Sequence, residues 1–498
     1  MNRTFAKVFH IYVFAYAFFF ASRPIDDADF WWHLKTGQYI VNQGVIPRSD
    51  FFSFTNYGKP WVAHEWLSEV VFYLGYSWFG YNSLILFFAL LTVLTFWLII
   101  RRLNTHPFIV GPAVLLGIWS ILPTLGVRPR VFTLLFAAIF LVLLNSFTRD
   151  GKWHIWLTVP MMAVWVNLHG GFLIGLVLIG VASVGLLLDA LVEQSLKGVW
   201  KPLRTLSLVL VGCGVAGLLN PHGWKIYLFP FEVFWSPVLM NTVRDWISPD
   251  FHQPEMLPLA ALILLTIAAL ALSPKRPRPS EVLLFVLTLY ATLKSNRNMA
   301  ILALVAVPLL ARYSQYCVSS FTRATFTVRP NQSSSRATTF AVIALLLPLL
   351  IFIPKLAAEV YGPPKQNVVR VPLKAVEYMK ENGISGFTFT ESNMWGGYLI
   401  WAIPSNPVYI DGRLDMYGDQ FVKEFIHIVN GTVAWEEPFA RHQVKNVIVR
   451  PKSHLARSLA ESGEWQQRYQ DEMTVVFSRR SDPSIAHVSY RQDLWRTR

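Results

Sequence analysis

Charge is what this sequence has least of. Only 15% of its 498 residues are Asp, Glu, Lys or Arg, whereas 53% are hydrophobic and 15% aromatic; soluble domains carry about 25% charged residues. That much apolar side chain excludes a single water-soluble core and places the chain in a membrane. Cysteine is scarcer still. Cys213 falls in an apolar run and Cys317 in a loop expected on the opposite face, which excludes a disulfide framework and a thiolate metal site. Acids are also short, at 30 against 44 Lys and Arg.

What is present is a series of apolar runs, each of which must be helical in lipid because its amides have no water to bond. They predict about eleven spans, near 5–22, 83–100, 107–125, 131–148, 154–168, 171–190, 204–220, 256–272, 281–294, 298–312 and 338–356. The runs at 154, 281 and 298 are short for a hydrocarbon layer of about 30 Å, and 281–312 also fits a re-entrant hairpin. The first run, "FAYAFFFASR", stays bulky to its end and lacks a small-x-small cleavage site, so it reads as a retained helix.

With the spans alternating, one set of loops holds sixteen cations and four acids, so +12 of the +14 net charge lies on one face. The positive-inside rule makes that face cytoplasmic. The N-terminus is then cytoplasmic, and the first outer loop and the C-terminal region are extracytoplasmic. The basic balance reflects this topology, and no nucleic-acid partner is read from it.

Two domains are expected: a transmembrane domain, 1–357, whose first outer loop is 23–82, and an extracytoplasmic α/β domain, 358–498. The linker 313–337 is polar and basic and reads as a cytoplasmic loop. Beyond 358, "PLKAVEYMKEN", "DQFVKEFIHIV" and "HLARSLAES" have helical period, while "FTFT", "PVYI", "NVIV" and "MTVVFSRR" read as strands. The stretch from Asp482 reads as a loose tail.

The first outer loop is unusual. "DDADFWWHLKTG", 26–37, puts three carboxylates, two tryptophans and a histidine at the membrane boundary. An amphipathic helix over about 28–42 places Asp29 and His33 on one face, and a second surface helix begins near "HEWLSEVVFYLGY". One aspartate would cap the first helix, but a cap does not account for three. His64 and Glu65 later in this loop, and Arg128, Arg130, His169, His222, Arg244, Asp245, Lys294 and Arg297 in other outer loops, come to the same level. Ionisable groups held near lipid tend to mark a working site.

Acids and cations together at an outer membrane surface suit transfer of a sugar from a polyprenyl-phosphate carrier. A carboxylate, Asp29 or Asp27, would take the acceptor's proton, and arginines such as Arg128, Arg130 or Arg297 would hold the departing phosphate. Asp27, Asp29, His64 and Glu65 would suit a divalent Mg or Mn ion, which prefers oxygen ligands.

The motif Asp27-Ala28-Asp29, with "WWHLKTGQYIVNQGVIPRSD" and "WVAHEWLSEV" after it, resembles the first outer loop of the GT-C superfamily of integral-membrane glycosyltransferases. The resemblance implies a lipid-phosphate or lipid-diphosphate sugar donor, and an essential first-loop acid that falls here on Asp27 or Asp29. A second region, "SNMWGGYLIWAIPSNPVYIDGRLDMYG", 392–418, is similar in layout to the acceptor-reading Trp-Trp-Asp-Tyr-Gly region of oligosaccharyltransferase catalytic subunits. It lacks the doubled Trp and its Asp, so an Asn-x-Ser/Thr acceptor is not implied. Its Trp395, Tyr398, Asp411 and Arg413, with His33, His169, Arg244 and Lys294, complete the candidate substrate-binding set. The acceptor itself is left open. A flippase for lipid-linked glycan and a non-catalytic assembly subunit are the competing readings; the nearly clean span interiors favour the enzyme, since carriers need polar groups at mid-membrane.

Overall fold

A computed structural model describes residues 3–27, 29–243, 245–322, 353–354, 357 and 371–480. The expected linker from 323, nearly all of the span near 338–356, the tail from Asp482, and Arg244 lie outside the described residues. The chain divides into a helical unit, 1–24, 78–226 and 241–362, and a mixed unit, 25–77, 227–240 and 363–498.

In the helical unit, apolar runs form α1 (Arg3–Ala21), α4 (Tyr81–Ile100), α5 (Pro107–Ser120), α6 (Arg130–Asp150), α7 (Thr158–Leu168), α8 (Leu173–Val192), α9 (Trp200–Ala216), α12 (Leu257–Leu272), α13 (Pro279–Lys294) and α14 (Met299–Thr322). Each falls on an expected span. Among the described residues, five stretches are long and apolar enough to cross a membrane: Tyr81–Ile100, Arg130–Asp150, Gly170–Val192, Pro254–Leu272 and Asn296–Phe321; Val8–Ala21 and Pro107–Ser120 are apolar but shorter. α14, at 24 residues, is about 36 Å long. It runs past the expected end at 312, which puts Cys317 in a helix, while α13 stays at 16 residues. Helix α14 packs on α5, α12 and α13, and α6 packs on α4 and α8. Thr92, Thr95 and Thr266 donate to carbonyls four residues back in their own helices, so hydroxyls buried in apolar helices are satisfied locally.

The mixed unit contains α2 (Asp29–Gln43), most of α3 (Trp66–Phe79), parts of α10 (Lys225–Phe234) and α11 (Pro237–Thr242), and the C-terminal elements α15 (Leu373–Glu381), α16 (Asn393–Ala402), α17 (Asp419–Val429), α18 (Glu436–Arg441) and α19 (His454–Glu461). Strands β1 (Thr388–Thr390), β2 (Asn446–Val449), β3 (Trp465–Gln470) and β4 (Val475–Arg479) form one sheet in the order β1-β2-β4-β3. The β1/β2 pair is parallel and the others antiparallel.

Side-chain alternation builds two cores on this sheet. Val447, Val449, Val475 and Phe477 face a core with Phe425, Phe439 and Leu455, while Ile448 and Val476 face one with Val376, Trp395 and Leu399. The second core also takes Trp32, Phe52 and Trp61 from the first outer loop. That loop, expected to belong with the spans, therefore packs with the C-terminal region. "PVYI" is not a strand of the sheet: Val408 makes isolated bridges to Ser53 and Thr388.

Candidate active site

Within the mixed unit, the acidic motif opens α2. Asp27 Oδ1 accepts the Asp29 backbone N–H at 3.2 Å, so Asp27 does the capping work at this helix start. Asp29 is used differently. It is half-buried, its Oδ1 accepts the Trp32 indole N–H at 3.0 Å, and it lies against Gly412, where a Cβ would have no room beside Oδ1. The close backbone approach at Gly412 is what the "IDGRLD" turn supplies.

One turn on, His33 is 4% exposed and bracketed by acids. Its Nδ1 is 3.2 Å from Glu69 Oε1 and its Nε2 3.5 Å from Glu65 Oε2, and Glu65 Oε1 stands 3.5 Å from His64 Nε2. Burial opposes a charge on His33, but the hydrogen bond to Glu69 and the charges of Glu65, Glu69 and Asp29 outweigh it and raise its pKa above the ordinary value. His64 is raised in the same way, burial being outweighed chiefly by Glu65. For Glu69, burial dominates and pushes the carboxyl up despite His33. Gly37 lets α2 approach the Glu69 carbonyl with no space for a Cβ. His33, expected to touch substrate, instead locks α2 to α3 and fixes the direction in which α2 presents Asp29.

Asp411 and Arg413 also take a structural part. Both are buried, at 0% and 2% exposure. Arg413 donates to Asp411 through Nε and Nη2 at 2.9 and 2.6 Å and to Asp50 Oδ1 at 2.8 Å. Its guanidinium sits 4.5 Å from the Trp61 ring centre and 4.9 Å from that of Phe52, and Tyr417 donates to Asp411 at 2.9 Å. Thr55 Oγ1 and the Phe54 N–H reach the carbonyls of Tyr409 and Val408. An ion pair buried among aromatic rings in this way is a clasp, although Arg413 Nη1 has no hydrogen-bond partner. Trp395 is 2% exposed with Arg450 over its ring, and belongs to the core. Tyr398 is half-buried against Trp31. Trp395, Asp411 and Arg413, expected to bind substrate, are thus held in packing, and Tyr398 is half-buried.

Among the described residues no group of three or more His, Cys, Asp or Glu side chains is arranged to hold a metal. Of the expected ligands, Asp27 caps α2, Asp29 bonds Trp32, and Glu65 pairs with His33 and His64.

Within the helical unit, the cations come together at the end where α6 begins. Arg130 Nη2 pairs with Asp245, while its buried Nη1 has no hydrogen-bond partner. Arg297 lies 4.6 Å from the Trp246 ring centre and reaches His169 Nε2 at 3.1 Å. His169 Nδ1 is 2.7 Å from Thr133 Oγ1 and accepts the Gly171 N–H at 3.0 Å. The backbone ties these loops together: the N–H of Arg297 and the Ser295 hydroxyl both reach the Asp245 carbonyl. Burial would raise the Asp245 carboxyl, but Arg130, Arg128 and Arg297 outweigh it and bring its pKa down to about 2. Three guanidiniums thus act on a single carboxylate, Arg130 in contact with it and Arg128 and Arg297 through their charge, leaving an excess of positive charge. Lys294 stands exposed at the last position of α13.

Several functional residues were not read from the sequence. Glu69 had a signal, since it lies four residues after Glu65 on one helical face. Asp50, Trp246 and Thr133 had none, because their partners are distant in the chain.

No family model matches this chain, and no curated protein matches it in sequence. Among solved structures, an oligosaccharyltransferase of Archaeoglobus fulgidus in its apo form is similar, with TM-score 0.51 and 11% identity, over 88% of this chain and 69% of that one. An A. fulgidus oligosaccharyltransferase tethered by a disulfide to an acceptor peptide containing the NVT sequon gives TM-score 0.50 and 12% identity, over 88% and 68%. The chain is therefore similar in fold, over most of its length, to the archaeal oligosaccharyltransferase.

Proposed function

We propose that the protein is a membrane glycosyltransferase that moves a sugar from a polyprenyl-phosphate-linked donor to an acceptor on the extracytoplasmic face. The observation that carries this reading is the three-arginine cluster around Asp245, with a buried, unpartnered Arg130 Nη1, in a chain with this fold. A guanidinium N–H buried without a partner is costly to keep, and a phosphate oxygen is the acceptor such a fork suits.

In the reaction, Asp29 takes the proton of the acceptor X–H group as X bonds to the sugar's anomeric carbon. The carbon–oxygen bond to the phosphate breaks, and the oxygen leaves with the electron pair. Arg128, Arg130 and Arg297 stabilise the charge that collects on the phosphate. Asp245 stays ionised and holds the guanidiniums apart. The peptide seen in the archaeal structure makes peptides one acceptor class to try, but the missing Trp-Trp-Asp stretch and the buried Trp395 argue against the same sequon.

Hydroxyls such as Thr92 and Thr95 bond back into their own helices, which supports an enzyme over a flippase for the glycan. The test is transfer of labelled sugar from a polyprenyl-phosphate donor by the purified full chain. Arg130→Gln is expected to lower transfer about 10²-fold or more; wild-type transfer by this variant would contradict the phosphate role.

A further inference from the structure

At the other end of α6, where α4 also ends and α13 begins, the helical unit contains a cavity of about 370 Å³ that plays no part in the proposed reaction. Its mouth carries Arg102, Arg149 and Arg312 and its walls include Leu98, Leu141 and Leu304. We propose that this cavity is a binding site for one anionic glycerophospholipid, with the phosphodiester at the arginines and an acyl chain along the leucines.

The charge at the mouth is unbalanced. Arg149 and Arg312 both donate to Glu281 Oε1, and Tyr313 donates to Oε2 of the same carboxylate at 2.6 Å. The Arg278 N–H adds a fourth donor to Oε2 at 3.2 Å. One carboxylate is thus shared by two arginines. Arg102 donates to a neutral hydroxyl, Ser146. The other acid in the lining, Asp150, has Lys152 at 3.4 Å.

Below the mouth the lining turns apolar. Leu141 lies eight residues before Arg149 on α6, and Leu304 eight before Arg312 on α14, so the apolar wall extends about 12 Å along the helices. Free phosphate would leave that wall wet, and a zwitterionic head would leave the arginine excess unmatched. A phosphate joined to an acyl chain satisfies both parts, and the volume is in the range of small-ligand sites, about 300 to 1,000 Å³. The charge count places this end on the cytoplasmic side, where basic pockets between membrane helices recognise anionic headgroups.

The test uses the full chain in detergent, with phosphatidylglycerol, phosphatidylcholine or inorganic phosphate added. Native mass spectrometry reads bound lipid, and thermal unfolding reads its effect. The expected result is one retained phosphatidylglycerol per chain and a raised melting temperature, with neither effect from phosphatidylcholine or phosphate. Arg102→Gln should weaken retention about fivefold, and Val142→Trp, which fills the cavity, should abolish it. Both variants should melt like the wild type in phosphatidylcholine. Should Val142→Trp fail to fold, Arg102→Gln decides alone. Equal retention of the two lipids, an equal shift from phosphate, or unchanged phosphatidylglycerol binding in a folded variant would overturn the assignment.

Discussion

Asp29 owes its position to two neighbours on either side of it. Trp32 holds one oxygen, and Gly412 provides the space the carboxylate occupies. A methyl group at 412 has to displace the carboxylate, so Gly412→Ala is expected to cut transfer at least tenfold while the variant still folds; an unaffected kcat/KM would show that Asp29's placement is irrelevant. His33 gives a second residue-level expectation. Its raised folded pKa means that the stabilisation from its charged form is complete below the unfolded value of about 6.5 and fades as pH rises through the folded value. Glu69, raised by burial, acts in the same direction: the folded state holds its proton more tightly, and stability falls as pH climbs above the ordinary carboxyl value. Amide exchange should therefore report protection of α2 decreasing as pH rises above about 6.5, after correction for intrinsic rates. Protection that grows with pH would mean that the His33–Glu69 contact is not a charged one.

At the scale of elements, the first outer loop behaves as part of the sheet-bearing unit. Segment 50–56 lies along Val408 and Tyr409, and Asp50 is sealed onto Arg413. Removing one member of a buried ion pair leaves the other uncompensated, at about 3 to 5 kcal/mol. Because Asp411 remains beside Arg413, Asp50→Ala is expected at the low end of that range, about 3 kcal/mol, read as faster exchange of amides 50–61. The half-buried Asp26 should tolerate alanine with a change of about 0.5 kcal/mol or less. No residue near Asp50 in the chain announces the clasp, since its partner lies 363 positions away. Helix α16 was not among the expected helices; within it Gly396 sits against the Ile410 carbonyl, where no Cβ fits. Strand β3 was missed because its middle is exposed glutamine and arginine, without the alternation that marks a half-buried strand.

For the whole molecule, the features legible in sequence were those written in local pattern: apolar runs that became helices α1, α4 to α9 and α12 to α14, the helical period of α2, and the Asp27-Ala28-Asp29 motif that pointed to the fold. The arginine grouping was legible only as a shared level, because charge patterning assigns loops to a face but does not pair Arg130 with Asp245 or Arg297 with His169. The packing of Trp395, Asp411 and Arg413 was not legible, because polar and aromatic residues look alike in sequence whether they face a substrate or a core. The most direct test of sugar transfer by this chain is a product assay. Reconstituted wild type and the Asp27→Asn/Asp29→Asn double variant would receive a labelled polyprenyl-phosphate sugar and an acceptor panel that includes peptides. The expected result is labelled product from the wild type and a loss of about 10²- to 10⁴-fold in the variant. Product formed at the wild-type rate by the double variant, or none from the wild type with any acceptor, would contradict the account.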